Sequence, residues 1–425
     1  MTNTHFARYA PPRATSPTSV MTPLLTLLFA VAVGVVVLPL YAAQPLIRSI
    51  AASFDLSSGT MGLTTTMPMV GYAAGLLLLV PLSDLLETRR LILTTLSAGA
   101  VALAAAALAP SSSFFLLAAF ALGASASAIQ MLVPAAATMV PEAQRGQVIG
   151  NVMSGLMIGI LVSRPLASLA AVLFGWRGSY ALDAVATAGT VILLHRFLPR
   201  RAPAMQSQKY GALIASLWEL LMKEAVLRRR VTYQALCMGA FGIFWTAVAL
   251  RLAQPPFELG QTGIALFTLA GAGGAVAAPI AGWAGDRGWD VPAMRVAHAV
   301  VVVASMLAGL AGAPWFGFDL TARPALSLAL LAISAVVLDL GVISDQTLGR
   351  RAVNLVNPEA RGRVNGLYTG IFFLGGAIGS LFAGIASAPS GWTFVCLIAA
   401  GFGITTFVLA ASEHRSEISR MEEQR

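Results

Sequence analysis

Two ionisable residues lie deep inside long apolar runs of this sequence: Asp339 in AISAVVLDLGVISDQ and Arg164 in GILVSRPLAS. A charge surrounded by hydrocarbon is costly, so such groups face a partner, a ligand or a water-filled space. A carboxyl so placed suits a group that gains and loses a proton in a working cycle. Asp345 lies further along the same run, where a structural role at a helix end is equally open, and Asp183 sits near the end of another run. These three are the proton-carrying candidates, with Asp339 first. Arg164 fits three roles: contact for an anionic substrate, fixed countercharge for a carboxylate such as Asp339, or a packing device for backbone carbonyls near Pro165.

Other chemistries find little material. A membrane-embedded enzyme needs a nucleophile, a metal cluster or a paired acid and base near one face. The chain has four histidines, scattered, and two cysteines, Cys237 and Cys396, in separate apolar runs. The sequence therefore predicts no disulfide, metal or cofactor, and it reads His298 as a packing residue. A glycine-rich nucleotide loop with its lysine is missing, which argues against an ATP-driven pump.

The elements that must hold these residues are set by composition. Of 425 residues 57% are hydrophobic and 11% charged, with mean hydropathy +0.79. Soluble domains carry about 25% charged residues, whereas apolar runs of about 20 residues match the hydrocarbon core of a bilayer. The hydropathy pattern predicts twelve transmembrane helices, near 21–46, 59–83, 91–109, 114–140, 148–173, 180–198, 231–253, 262–284, 293–313, 324–348, 364–388 and 391–411. They form an all-α polytopic protein divided into an N-terminal tail (1–20), a six-helix bundle (21–198), a basic linker (199–230), a second six-helix bundle (231–411) and a C-terminal tail (412–425).

The net charge of +9 carries topology rather than a nucleic-acid footprint. With the N-terminus in the cytoplasm, 22 of 27 basic residues fall on that side and 4 on the other, with Arg164 inside a span. That asymmetry is the positive-inside pattern, so both termini are expected in the cytoplasm and the protein in the inner (plasma) membrane. The first apolar run is too long for a signal-peptide core and reads as an uncleaved span. In the linker, YGALIASLWELLMKEAVLRRR has Leu213, Leu217, Leu220, Leu221 and Leu227 on one helical face, ending in Arg228, Arg229 and Arg230. A surface helix against anionic lipid headgroups is expected there.

The two bundles repeat each other. PEAQRGQVIG from Pro141 returns as PEARGRVNG from Pro358, and Gly175-Trp176 returns 216 residues later as Gly391-Trp392. Two matches at one offset imply duplicated halves. Between spans two and three lies VPLSDLLETRR, holding Asp84, Arg89 and Arg90; between spans eight and nine lies GWAGDRGW, holding Asp286 and Arg287. A basic linker between six-span halves, with these paired loops, resembles the major facilitator superfamily over essentially the whole chain.

The resemblance implies two bundles related by an axis along the membrane normal, with a central site that opens alternately to each side. It also gives the repeats a purpose. Spans five and eleven begin just after the repeated stretches, and a helix start favours a nearby carboxylate. By resemblance, Asp84 faces residues 361–365, led by Arg361, and Asp286 faces residues 145–149, led by Arg145, as two halves of a cytoplasmic gate. The family's plan lines the cavity from spans one, four, seven and ten, which nominates Tyr41, Gln44, Gln130, Phe241, Trp245 and Asp339.

YAAQPL, PLSDLLETRR and the paired PEA stretches are most similar to twelve-span bacterial exporters of drugs, sugars and nucleosides. Span five carries Gly150, Gly155, Gly159 and Pro165 of an antiporter signature, with Ser163 and Arg164 where small residues are expected. The function implied is a non-enzymatic, monomeric exporter of a small molecule, driven by the proton gradient and touching membrane lipid but no nucleic acid. The alternative is a proton-coupled importer of a small organic acid, with Arg164 gripping its carboxylate.

Overall fold

The computed structural model describes residues 21–198, 209–315, 317–356, 361–388 and 391–423. Eleven helices among them are long and apolar enough to cross a membrane. Ten are single spans: Pro23–Ser53 (span one), Leu63–Asp84 (two), Thr88–Ala107 (three), Ser112–Ala137 (four), Ala225–Leu252 (seven), Gln261–Asp286 (eight), Asp290–Gly312 (nine), Pro324–Leu355 (ten), Gly362–Ala386 (eleven) and Gly391–Ser412 (twelve). The other, Glu142–Phe197, has 56 residues, about 84 Å of helix at 1.5 Å per residue, against roughly 30 Å of bilayer hydrocarbon. It folds back at Gly175, whose φ of +69° belongs to the left-handed region that only glycine enters without strain. Residues 142–174 are span five and residues 176–197 span six, which restores twelve.

The Gly-Trp repeat follows from these turns. Trp176, at the start of span six, donates its indole N–H to Ser53 Oγ at 2.8 Å and packs edge-on to Phe54, Phe115 and Tyr180. Trp392, at the start of span twelve, donates to the Ala308 carbonyl at 2.9 Å. Each tryptophan pins the last helix of its bundle at the end of the molecule away from the linker.

Close packing of equivalent helices follows the same duplication. Span one lies on span five through Gly34, Gly155 and Gly159; span seven lies on span eleven through Gly239, Gly242, Gly375 and Gly379. A Cβ on Gly155 would stand 2.2 Å from the Ala30 carbonyl oxygen, and one on Gly375 would stand 2.0 Å from that of Ala235. Membrane helices gain little from excluding lipid, so close backbone approach through small residues supplies their contact energy.

Four of the described spans depart from regular α-helix; span eleven does so only at its end, tightening over Phe382–Ser387. Span two widens by one residue per turn over Gly75–Leu79 and tightens over Val80–Asp84. Span four bends at residues 127–128, between Ser112–Ala126 and Ile129–Ala137. Span eight narrows over Leu269–Val276, LAGAGGAV, before resuming at Ala277. The linker also differs from expectation. The helix from Tyr210 ends at Lys223, extended backbone at Glu224 follows, and Arg228, Arg229 and Arg230 begin the span-seven helix. Arg228 turns back onto the Met222 carbonyl, which satisfies the last turn of the linker helix and lets the chain break there. Leu213 and Leu217 are buried, and the Tyr210 hydroxyl donates to the Leu78 carbonyl at 2.8 Å, so this helix docks on span two.

Candidate functional site

Between the halves, spans one, five, seven, eight and ten bring polar side chains together. Pro39 and Pro45 lie within span one and frame Tyr41 and Gln44, both buried. Span five presents Arg164, also buried, whose Nε donates to Gln44 Oε1 at 2.7 Å. The guanidinium carbon stands 4.4 Å from the ring centre of Trp245, 5.1 Å from Tyr41 and 5.2 Å from Phe241. An aromatic face attracts a cation most strongly when both are shielded from water. Trp245 in turn donates its indole N–H to Asp339 Oδ1 at 2.8 Å. Of the described ion pairs none joins Arg164 directly to Asp339; the indole stands between them.

Span eight makes room for the carboxylate. A Cβ on Gly274 would come within 2.4 Å of Asp339 Cβ, and one on Gly271 within 3.2 Å of Asp339 Oδ2. The glycine run that narrows this helix is therefore what admits Asp339 against it. This part of the site escaped the sequence reading, although three glycines in six residues of an apolar span were its visible sign.

Two donors in the group have no partner: Gln44 Nε2 and Arg164 Nη2 are buried without a hydrogen bond. An unmade hydrogen bond of a buried donor costs about 1–3 kcal/mol. Both atoms lie at the charged site between the bundles, where an acceptor would satisfy them.

Five of the six nominated cavity residues thus meet: Tyr41, Gln44, Phe241, Trp245 and Asp339. Gln130 is set one step back, against the Tyr72 hydroxyl of span two, which is itself within electrostatic reach of Tyr41, and Tyr72 meets Phe373 of span eleven edge-on at 4.5 Å. Asp183 is half-buried on span six beside Tyr180, with no described hydrogen bond to the central group. Asp345 accompanies His298: Nε2 of His298 and Oδ1 of Asp345 are 2.9 Å apart, both residues buried. Cys237 adjoins them, so that three atoms able to ligate a metal lie within 4.8 Å of one another. The sequence reading treated His298 and Cys237 as isolated, because spans seven, nine and ten bring them together from distant stretches.

The gate residues divide. Asp84 is half-buried and within electrostatic reach of Arg363, at the start of span eleven; Arg363 also donates to Ser216 of the linker helix at 2.9 Å. The side chain of Arg361 lies outside the described residues. Arg89 donates to the His195 carbonyl, and Arg90 is exposed. Asp286 does not face residues 145–149 as expected. It pairs with Arg351 of its own half, while Arg145 is exposed and Gly146 and Gly150 have no atom within 4 Å of a Cβ. Arg287 lies over the Trp283 ring at 3.7 Å. The physical reason is separation: span five packs on span eight only through Gln261–Val276 and barely touches it beyond, so Asp286 takes the nearest cation.

At the opposite end the halves are joined. Arg48 donates to the Ala253 carbonyl at 3.1 Å, and Gln261 bridges Ser168 at 3.2 Å and Ser49 at 3.3 Å. A crevice of about 160 Å³ remains between Pro45, Arg48, Ala253 and Gln261.

Twelve apolar spans in two like halves, with a buried charged site between them, make this a multi-pass membrane transporter. The family model of the Major Facilitator Superfamily matches residues 24–348 and 260–423. The chain is 36% identical over 401 residues to a putative uncharacterized transporter, YgaY, of Escherichia coli strain K12, covering 93% of this chain and 97% of that one. It is 31% identical to a probable transporter, SCO4007, of Streptomyces coelicolor, covering 91% and 87%. A crystal structure of the nucleoside transporter NupG superposes with TM-score 0.70 at 15% identity, covering 91% of this chain and 99% of that one. The chain belongs to the major facilitator superfamily.

Proposed function

We propose that this transporter is proton-coupled, that Asp339 carries the coupling proton, and that Arg164 is its fixed countercharge. The observation behind this reading is the Asp339–Trp245–Arg164 arrangement: a buried carboxylate with one indole donor and a cation held across the same ring. Protonation removes the negative charge, changes what Arg164 requires nearby, and so favours one closure of the bundles over the other. Substrate is a small molecule, the protein works as a monomer, and no metal or organic cofactor takes part. The linker side faces the cytoplasm of a plasma membrane, with both termini there.

The exporter-like stretches favour efflux in exchange for protons: Asp339 takes a proton outside as substrate leaves, and releases it inside. The second reading, import of an organic acid, is favoured by the two unpartnered donors of Arg164 and Gln44. Energised inside-out vesicles with a pH-sensitive dye test the proton role, using drugs, sugars, nucleosides and organic acids on wild type and Asp339→Asn. A compound that moves protons in wild type and not in the variant supports the reading. Equal proton movement in both removes Asp339 from the coupling step, and Asp183 and Asp345 become the residues to test.

A further inference from the structure

We infer that the substrate is an organic monoanion, bound by the free donors of Arg164 and Gln44, and that it travels with the proton rather than against it. The inference rests on the proton-coupled reading, takes the second of its two directions in place of exchange, and adds the substrate's charge and the sign of coupling.

The donor set fixes the charge. Arg164 uses Nε on Gln44 Oε1 and leaves Nη2 unpaired; Gln44 accepts there through Oε1 and leaves Nε2 unpaired. Both unpaired atoms are donors, on side chains bonded to each other, so one acceptor group with two lone-pair sites is the simplest ligand that satisfies both. A carboxylate or sulfonate fits, and its hydrogen bonds to a guanidinium are charge-assisted. A cationic substrate would meet Arg164 with like charge and leave both donors unpaired. A neutral one would leave the open donors weakly satisfied. Tyr41, Phe241 and Trp245 surround the guanidinium, so an apolar body attached to the acid finds ring faces and edges beside it.

Charge balance fixes the sign. With Asp339 ionised, Arg164 and Asp339 together sum to zero, and an added anion would leave a net negative charge in a low-dielectric site. With Asp339 protonated, Arg164 is uncompensated and the anion restores neutrality. Proton and anion therefore strengthen each other's binding, by the same factor in both directions. Tyr41 of span one, Tyr72 of span two across from it, Arg164 of span five and Trp245 of span seven face the pair; among the described residues span eight sets glycines and Phe267 there, with no titratable group. Within this set Asp339 is the only carboxyl, so it takes up the linked proton.

Equilibrium binding of tritiated benzoate to the purified full-length protein in nanodiscs tests this. Hexanoate, indole-3-acetate, benzenesulfonate, methyl benzoate and phenyltrimethylammonium serve as competitors. Benzenesulfonate stays ionised throughout, so pH dependence in its competition belongs to the protein. The expected result is competition by acids and not by the ester or the cation. Affinity should rise as pH falls, by up to about tenfold per unit where one proton is linked. Asp339→Asn should bind at a level that no longer varies with pH, and Arg164→Gln should lose at least about tenfold. Arg164→Lys, which keeps the charge, serves if the glutamine variant does not fold, and should recover part of the binding.

Three results overturn the inference: no acid binds the folded protein, leaving the donors to water; the ester or the cation competes as well as the acid; or affinity strengthens as pH rises. The last would place proton and substrate in exchange and leave the role of Asp339 intact. Loss of that role is read separately, from proton movement in the Asp339→Asn vesicles.

Discussion

Asp339, Trp245, Arg164 and Gln44 form a chain in which each member occupies its neighbour. Its middle link can be removed with little change of shape. Trp245→Phe keeps a ring near the guanidinium but withdraws the donor from Asp339 Oδ1. It should cost about 1–3 kcal/mol of stability and weaken proton coupling more than substrate binding, as a comparison of dye response with benzoate affinity would show. Asp345 is held differently. Its partner is His298, and its second oxygen, like His298 Nδ1, has no bond. Removing the histidine strands a buried acid, so His298→Ala should lower the melting temperature in detergent. Asp345→Asn, which keeps the shape and one acceptor, should lower it less. Substrate-driven proton movement through Asp339 should survive both changes in whatever protein folds. Asp339 and Arg164 were legible in the sequence because a charge stands out against a long apolar run. The cluster of Cys237, His298 and Asp345 was not, because His298 reads as packing, Cys237 as isolated and Asp345 as a proton carrier or helix-end residue until three helices are assembled.

At the level of elements, the glycines sort by what lies beside them. Gly155 meets the Ala30 carbonyl, whereas Gly150, five residues earlier and on a different side of the same helix, meets nothing. Gly150→Ala should therefore be neutral or slightly stabilising, since alanine is favoured in helices by up to about 1 kcal/mol. Gly155→Ala should cost about 1–3 kcal/mol through overpacking or drive span one from span five. Thermal denaturation of the two variants in one detergent separates these outcomes. Both glycines belong to the same span-five signature, so sequence alone does not distinguish them; only the crossing of span one at Ala30 does. The span count, by contrast, was legible from hydropathy, because a bilayer imposes one length on every crossing. The narrowing of span eight was not, since it answers to Asp339 on another helix.

For the whole molecule, the duplicated halves meet at two seams that differ. Spans two and eleven touch throughout, from Thr66 donating to the Ala377 carbonyl at 3.1 Å, through Tyr72 on Phe373, to Asp84 near Arg363. Spans five and eight part beyond Val276. A cross-link between cysteines placed at positions 48 and 253 should hold the far end shut and abolish transport until reductant is added, as radiolabelled uptake would report. Cys237 and Cys396 are buried, so they give little background. The sequence predicted a gate with two like latches because its motifs repeat. Only one is engaged, since repetition in sequence does not oblige both copies to be closed in the same state.

This lopsidedness gives the transporter a spine and a mouth. With one seam continuous and the other parted beyond Val276, the halves stand like a book opened along spans two and eleven. A wedge lodged beside Gly146 and Gly150 would jam the covers apart without touching Arg164 or Asp339. Blockers of that kind would be indifferent to what the protein carries, and changes in the substrate site would give no resistance to them.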